Sequence, residues 1–236
     1  MRALVVSAHP DDETMFAGGY IARLAAEGHD VVLLCSTRGE GGEVGEPPVG
    51  PLERLGELRE QELRCAGRAL GAREVRFLEF VDPRMEIGGT ASAIDASLEQ
   101  FVAALRPHLE ALRPELVLTH GSNGEYGHPQ HVFTHRAVFR ALADLGPAAP
   151  GQVVTWTAAY PDNLEQRLTN QDDPADEVLD VTPWLAAKQA AAACHVSQHA
   201  MFLRNNPGKS LPEVIRRVES FRHWRPEDVR HVAQAL

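Results

Sequence analysis

The chain has 236 residues, 44% of them hydrophobic, enough for one α/β domain spanning residues 1–236 with a substantial core. The 33 acidic and 23 basic side chains give a net charge of −10, which argues against phosphate-backbone binding and hence a nucleic-acid partner. No apolar run is long enough for a bilayer and no N-terminal segment has signal-peptide form, so the expectation is a cytoplasmic protein without a membrane partner.

Residues 3–8 read as a first buried strand and 15–27 as a helix capped at Gly28. Residues 31–35 read as a second strand, followed by a glycine- and proline-rich loop over 38–51. A loop of that length inside a compact domain is usually functional. Residues 52–71 have helical spacing and stop at Gly71, and 75–78 read as a third strand. A long helix is expected over 91–112, kinked or ended by Pro107, then a strand over 116–119. A helix over 129–144, a strand over 153–156, and helical segments near 183–194 and 211–222 complete the reading. Strands alternating with helices predict a doubly wound, Rossmann-like, mostly parallel sheet flanked by helices. Cys35, Cys65 and Cys194 are odd in number, lack metal-site spacing, and read as reduced thiols.

Two short segments carry the chemistry. Ala8-His9-Pro10-Asp11-Asp12-Glu13 follows the first strand and sets an imidazole and three carboxylates within five residues. Open parallel sheets present ligands at the carboxyl ends of their strands. Such a cluster is costly unless it binds something, and a divalent metal is the natural candidate. The second segment, Gly124-Glu125-Tyr126-Gly127-His128-Pro129-Gln130-His131, follows the fourth strand. Pro129 suits the first helical position, which makes His128 the cap. His9, Asp12 and His131 form the expected ligand set, because two imidazoles and one carboxylate suit zinc and leave a position open for water. Asp11 cannot easily share the metal with its neighbour and is free to act as a base. Glu13 is expected to be structural, His120 to line the site, and His135 to pack within its helix; Ser197 and Gln198 have no derivable role.

These two motifs resemble the LmbE-like, or PIG-L, superfamily of zinc-dependent N-deacetylases. Thr37-Arg38-Gly39-Glu40-Gly41-Gly42-Glu43 is similar to that family's loop after strand two, and the likeness continues through Arg59, Glu62-Leu63, Arg68 to Gly71, Lys188 and His195 to Gln198. The resemblance implies one zinc ion, or another divalent metal, at His9, Asp12 and His131, with Asp11 as general base. It implies His128 and Tyr126 as catalytic groups at the oxyanion, and Arg59 and Asp82 as contacts to the sugar of a small-molecule amino-sugar substrate. Gln130 stands where many relatives have aspartate, a position expected just behind the ligands.

The function so implied is metal-assisted hydrolysis of the acetamide of an N-acetylglucosamine conjugate. The alternative is a thiol-conjugate amidase or another metal-dependent amide hydrolase on the same fold. A non-catalytic sugar- or metal-binding module would need neither Asp11 nor His128, and a nucleotide-binding module would need a glycine fingerprint that is missing. The sequence leaves room for a homo-oligomer.

Overall fold

The computed structural model describes residues 1–84, 92–157, 170 and 172–235. The first half of the chain lays down strands and helices in strict alternation: β1 (Arg2–Ser7), α1 (Asp12–Ala26), β2 (Asp30–Thr37), α2 (Leu55–Leu70), β3 (Glu74–Phe80), α3 (Leu98–Leu112) and β4 (Leu116–Thr119). The short turn α4 (Gly124–Gly127) leads into α5 (Pro129–Asp144) and β5 (Gln152–Trp156). Then come β6 (Glu177–Asp180), α6 (Leu185–Cys194), α7 (His199–Arg204), α8 (Leu211–Val214), β7 (Val218–Trp224) and α9 (Pro226–Gln234).

The seven strands lie in the order β3-β2-β1-β4-β5-β7-β6. The five from β3 to β5 are parallel, and β7 and β6 continue the sheet in antiparallel pairs. The chain winds outward from β1 in one direction and resumes at β4 on its other side, so the switch point lies between β1 and β4.

Period-two alternation divides the core between the faces. Ala3 and Val5 pack with Ile21 and Leu24 of α1 and Leu63 and Leu70 of α2. Leu4 and Val6 pack with Phe101 and Leu105 of α3 and Phe139 and Leu142 of α5. Both faces of β1 are therefore covered, which explains its unbroken apolar run.

Several boundaries differ from those read in the sequence. Helix α1 starts at Asp12, because Asp12 and Glu13 suit the positive end of a helix. Helix α3 starts at Leu98, where Ser97 and Gln100 form a reciprocal cap. Pro107 lies inside that helix without ending it; it and Ala103, whose carbonyl loses its partner, are both exposed to water. The segment 211–222 is not a helix. Its residues divide between α8 and β7, which pairs antiparallel with β5. Burial of Glu219 and Ser220 within β7 hides the alternation that would have marked a strand.

The cysteine reading also needs correction. Cys65 of α2 and Cys194 of α6 form a disulfide with a Cα–Cα separation of 5.8 Å, and only Cys35 is a free, buried thiol. The 129-residue separation carries no local signal, so the pairing exists only because α2 packs on α6. The inference of a reducing compartment thereby loses its support from cysteine usage. Among the described residues, no helix is long and apolar enough to cross a membrane.

The second half is fastened to the first through a buried carboxylate, Glu219, that is itself ion-paired. Lys188 Nζ of α6 lies 2.7 Å from Glu219 Oε1 of β7. The same carboxylate accepts from the N–H groups of Gly19 and Tyr20 in α1. Lys188→Ala is expected to destabilise the protein by about 3–5 kcal/mol, because it leaves a buried carboxylate without its cation. Denaturant unfolding checks this, and a loss below about 1 kcal/mol would place the pair among solvated ones.

Candidate active site

The two motifs meet at the carboxyl ends of β1 and β4, at the switch point. The ends are locked together: Ala8 N–H donates to His120 Nε2 at 2.9 Å, and Thr119 Oγ1 donates to the Val6 carbonyl at 2.9 Å. His9, Asp12 and His131, the ligand set expected from sequence, come together here. His9 Nδ1 lies 3.1 Å from His131 Nε2 and 3.4 Å from Asp12 Oδ2, and His131 Nε2 lies 3.3 Å from Asp12 Oδ1. Ligands about 2.0–2.1 Å from a tetrahedral ion stand about 3.3 Å apart, and each of these three contacts is close to that spacing, the two Asp12 contacts being made by different oxygens of one carboxylate.

Among the described residues, the groups whose donor atoms all lie close enough together to hold an ion are His9-His128-His131 and Asp12-His120-His131, and His9, Asp12 and His131 are each in one of them. The hydrogen bonds behind each imidazole separate them. His120 Nε2 spends its lone pair on Ala8 N–H. His128 Nδ1 accepts from Gln130 N–H at 3.3 Å, so its proton sits on Nε2 and that atom is a donor. His131 Nδ1 lies 2.6 Å from Glu125 Oε2 and donates to it, which leaves the Nε2 lone pair facing the cluster. His9 Nε2 donates to Gln130 Oε1 at 2.9 Å, which leaves Nδ1.

Glu125 is a residue that the sequence reading missed. It is 1% exposed, has a left-handed backbone (φ 62), and accepts from His131, from His120 Nδ1 and from Gly121 N–H. Burial would raise its carboxyl, yet the imidazoles of His120 and His131 hold it down at about 2. Its strained turn is the means by which one carboxylate reaches both rings. No periodicity marks it; its place in the Gly124-to-His131 motif was the only available signal.

Asp11 sits beside the cluster in an unusual conformation (φ 121). Its N–H donates to Glu13 Oε2 at 3.1 Å, and its Oδ2 lies 3.2 Å from an Arg59 terminal nitrogen. Burial pushes its carboxyl up to about 6 against the opposing pull of the Arg59 guanidinium. Glu13 Oε1 accepts from Thr14 Oγ1 and lies 3.4 Å from His195 Nε2. His128 is the cap of α5, with Pro129 at the first turn, and burial and then the neighbouring His131 and His9 push its imidazole down to about 3. Tyr126, half exposed, stands at the rim with its ring centroid 5.7 Å from that of His128. His135 lies outside the cluster, where its Nδ1 donates to the His120 carbonyl at 2.9 Å.

Arg59 and Asp82, the two expected sugar contacts, are both buried beside the cluster. Arg59 is 3% exposed and donates to the carbonyls of Pro10 and Gly39 as well as to Asp11. A Cβ at Gly39 would meet its guanidinium at 2.4 Å, which is why the loop needs glycine there. Asp82 is also buried, and its carboxylate accepts from Gln130 Nε2 at 2.7 Å and from Gly41 N–H at 3.2 Å. The loop side chains are tied down too: Arg38 to Glu60 and Glu79, Glu43 to Arg204, and Glu40 to the Asp82 N–H. Ser197 and Gln198 acquire a role here. Ser197 donates twice to Glu62 of α2, and Gln198 donates to the Glu43 carbonyl, docking the turn after α6 onto α2 and the loop.

Fold and site together define an open, mostly parallel α/β protein with a histidine–carboxylate cluster that could hold a metal ion at its switch point. The chain belongs to the PIG-L family: the family model described as GlcNAc-PI de-N-acetylase matches residues 4–142. The 1D-myo-inositol 2-acetamido-2-deoxy-alpha-D-glucopyranoside deacetylase of Rhodococcus erythropolis is 40% identical over 237 residues, covering 84% of this chain and 81% of that protein. The N,N'-diacetylchitobiose deacetylase of Pyrococcus horikoshii shares the fold at a TM-score of 0.68 and 20% identity, over 96% of this chain and 84% of its own. The 4-carboxy-2-hydroxymuconate hydratase GalB of Pseudomonas putida also shares it, at a TM-score of 0.66 and 24% identity, over 94% of this chain and 95% of its own. One fold thus carries more than one chemistry, and the site must choose between them.

Proposed function

We propose that this protein is a zinc-dependent deacetylase that removes the acetyl group from the N-acetylglucosamine portion of a small glycoconjugate. The observation that carries the reading is the spacing of His9 Nδ1, Asp12 and His131 Nε2, with the Asp11 carboxylate beside them. The deacetylase name of the Rhodococcus erythropolis relative supports a GlcNAc–inositol type of substrate.

His9, Asp12 and His131 would hold the ion. When bound, zinc supplies a Lewis acid that polarises the acetyl carbonyl and lowers the pKa of water. Asp11 takes the proton of the attacking water, held in place by Arg59 and by Glu13 on its backbone N–H. His128, neutral and with its proton on Nε2, donates to the oxygen that becomes negative. Tyr126 at the rim supplies a second donor. Asp11 then hands its proton to the departing amine, and the products are acetate and a free amino sugar.

Acetate release from a GlcNAc–inositol substrate, run beside a thiol-conjugate amide, tests the reading. Release of acetate from the first supports it; cleavage of the second alone would transfer the site to the amidase alternative.

The buried position of Arg59 yields a kinetic prediction. Arg59→Ala is expected to lower kcat by about 10–100-fold, since a misplaced catalytic group costs of that order, while KM and metal content change little. Steady-state kinetics with metal analysis check this. A change confined to KM would return Arg59 to the substrate.

A further inference from the structure

We propose that Gln130 and Asp82 form a positioning relay that presents His9 Nδ1 to the metal. The proposal rests on the metal-site reading above. Gln130 Oε1 lies 2.9 Å from His9 Nε2. An amide oxygen only accepts, so it selects the ring form with the proton on Nε2 and the lone pair on Nδ1. Nδ1 is the atom that lies 3.1 Å from His131 Nε2.

A glutamine by itself is ambiguous. Rotated by half a turn, its amide would offer hydrogens to His9 and select the opposite ring form. Two acceptors settle the orientation: Gln130 Nε2 donates to Asp82 Oδ1 at 2.7 Å and to the Ser92 carbonyl at 3.1 Å. Both amide hydrogens are thereby used, and the oxygen faces His9. In the rotated form the amide oxygen would face the Asp82 carboxylate, with Gln130 only 1% exposed and Asp82 7% exposed. Two acceptors opposed in a buried site are costly.

Asp82 is itself anchored. Its Oδ2 accepts from Gly41 N–H, and its N–H donates to Glu40 Oε2 at 3.1 Å. The glycine loop is therefore linked through Asp82 and Gln130 to the imidazole of His9. Asp82 acts on the metal ligand through an amide.

The relay predicts a distinctive double-mutant pattern. Gln130→Glu keeps an oxygen for His9 but sets a second carboxylate against the buried Asp82, which forces the pair apart, and is expected to weaken zinc affinity by about 10–100-fold, the usual effect of displacing a partner behind a ligand. Gln130→Leu, which offers no acceptor, should weaken it similarly and serves if the first variant does not fold. Combining Gln130→Glu with Asp82→Asn removes the opposed charge: the asparagine amide at 82 donates to the glutamate at 130, whose other oxygen faces His9. Zinc affinity should then return to within a few-fold of wild type. A merely structural role for both residues would show in unfolding stability and leave zinc affinity unrescued in the double variant. Affinity is read by competition with a chromophoric chelator. Long-range proton–nitrogen correlation of the zinc-loaded wild type should show His9 bound through Nδ1 with its proton on Nε2. Additive losses, or His9 bound through Nε2, would overturn the relay. A wild-type protein that binds no zinc would overturn the metal reading and the relay with it, a failure visible in the chelator titration before any variant is made.

Discussion

Asp11→Asn is expected to lower kcat by about 10²–10⁴-fold, the usual loss when a general base is removed, with metal content and fold unchanged. Asparagine keeps the size of the side chain. Its amide oxygen can still accept from Arg59, and its backbone N–H still donates to Glu13, so the unusual conformation at this position keeps both supports. What disappears is the capacity to take a proton from water. Single-turnover acetate release beside elemental analysis separates the two effects. A kcat near that of wild type would move the base to another group, with Glu13 or His128 the nearest alternatives. Loss of metal together with activity would mean that Asp11 helps to hold the ion.

His131→Ala should have an equally large effect through a different route. It removes the one proposed ligand that comes from the second motif, and zinc occupancy should fall from the proposed one ion per chain to a small fraction of that. It also takes one of two imidazole partners from the buried Glu125 carboxylate, which keeps His120 and Gly121 N–H. Some loss of stability should therefore accompany the loss of metal, at about 1–3 kcal/mol for a buried group left partly unsatisfied. Elemental analysis and denaturant unfolding read the two separately. Full occupancy in the purified variant would remove His131 from the ligand set and leave the ion to His9, Asp12 and another donor.

The proposed site was legible where the signal is local. His9, Asp11 and Asp12 follow an apolar strand at once, and Pro129 marks the helix that carries His131. A parallel sheet brings such strand ends together, so the meeting of the two motifs follows from topology alone. The roles of Arg59 and Asp82 were not legible in this way. Family resemblance assigned them to a sugar, but a residue's type says nothing about whether its polar atoms are already spent. Arg59 spends its terminal nitrogens on Pro10, Gly39 and Asp11, and Asp82 spends its carboxylate on Gln130 and Gly41.

The sequence by itself determined the parallel half of the sheet, the helices that cover it and the three residues suited to a metal. These depend on apolar runs, helical spacing and motifs only a few residues long, and short-range patterns are written directly in the chain. Only the tertiary structure decided the antiparallel edge, the Cys65–Cys194 bond, the buried Lys188–Glu219 pair and the carboxylate of Glu125 behind two histidines. Three of these join segments far apart in the chain, and the fourth depends on a turn whose backbone no local pattern announces. A polar side chain acquires its role from the partners that folding brings to it, because burial leaves an unpaired polar group too costly to keep.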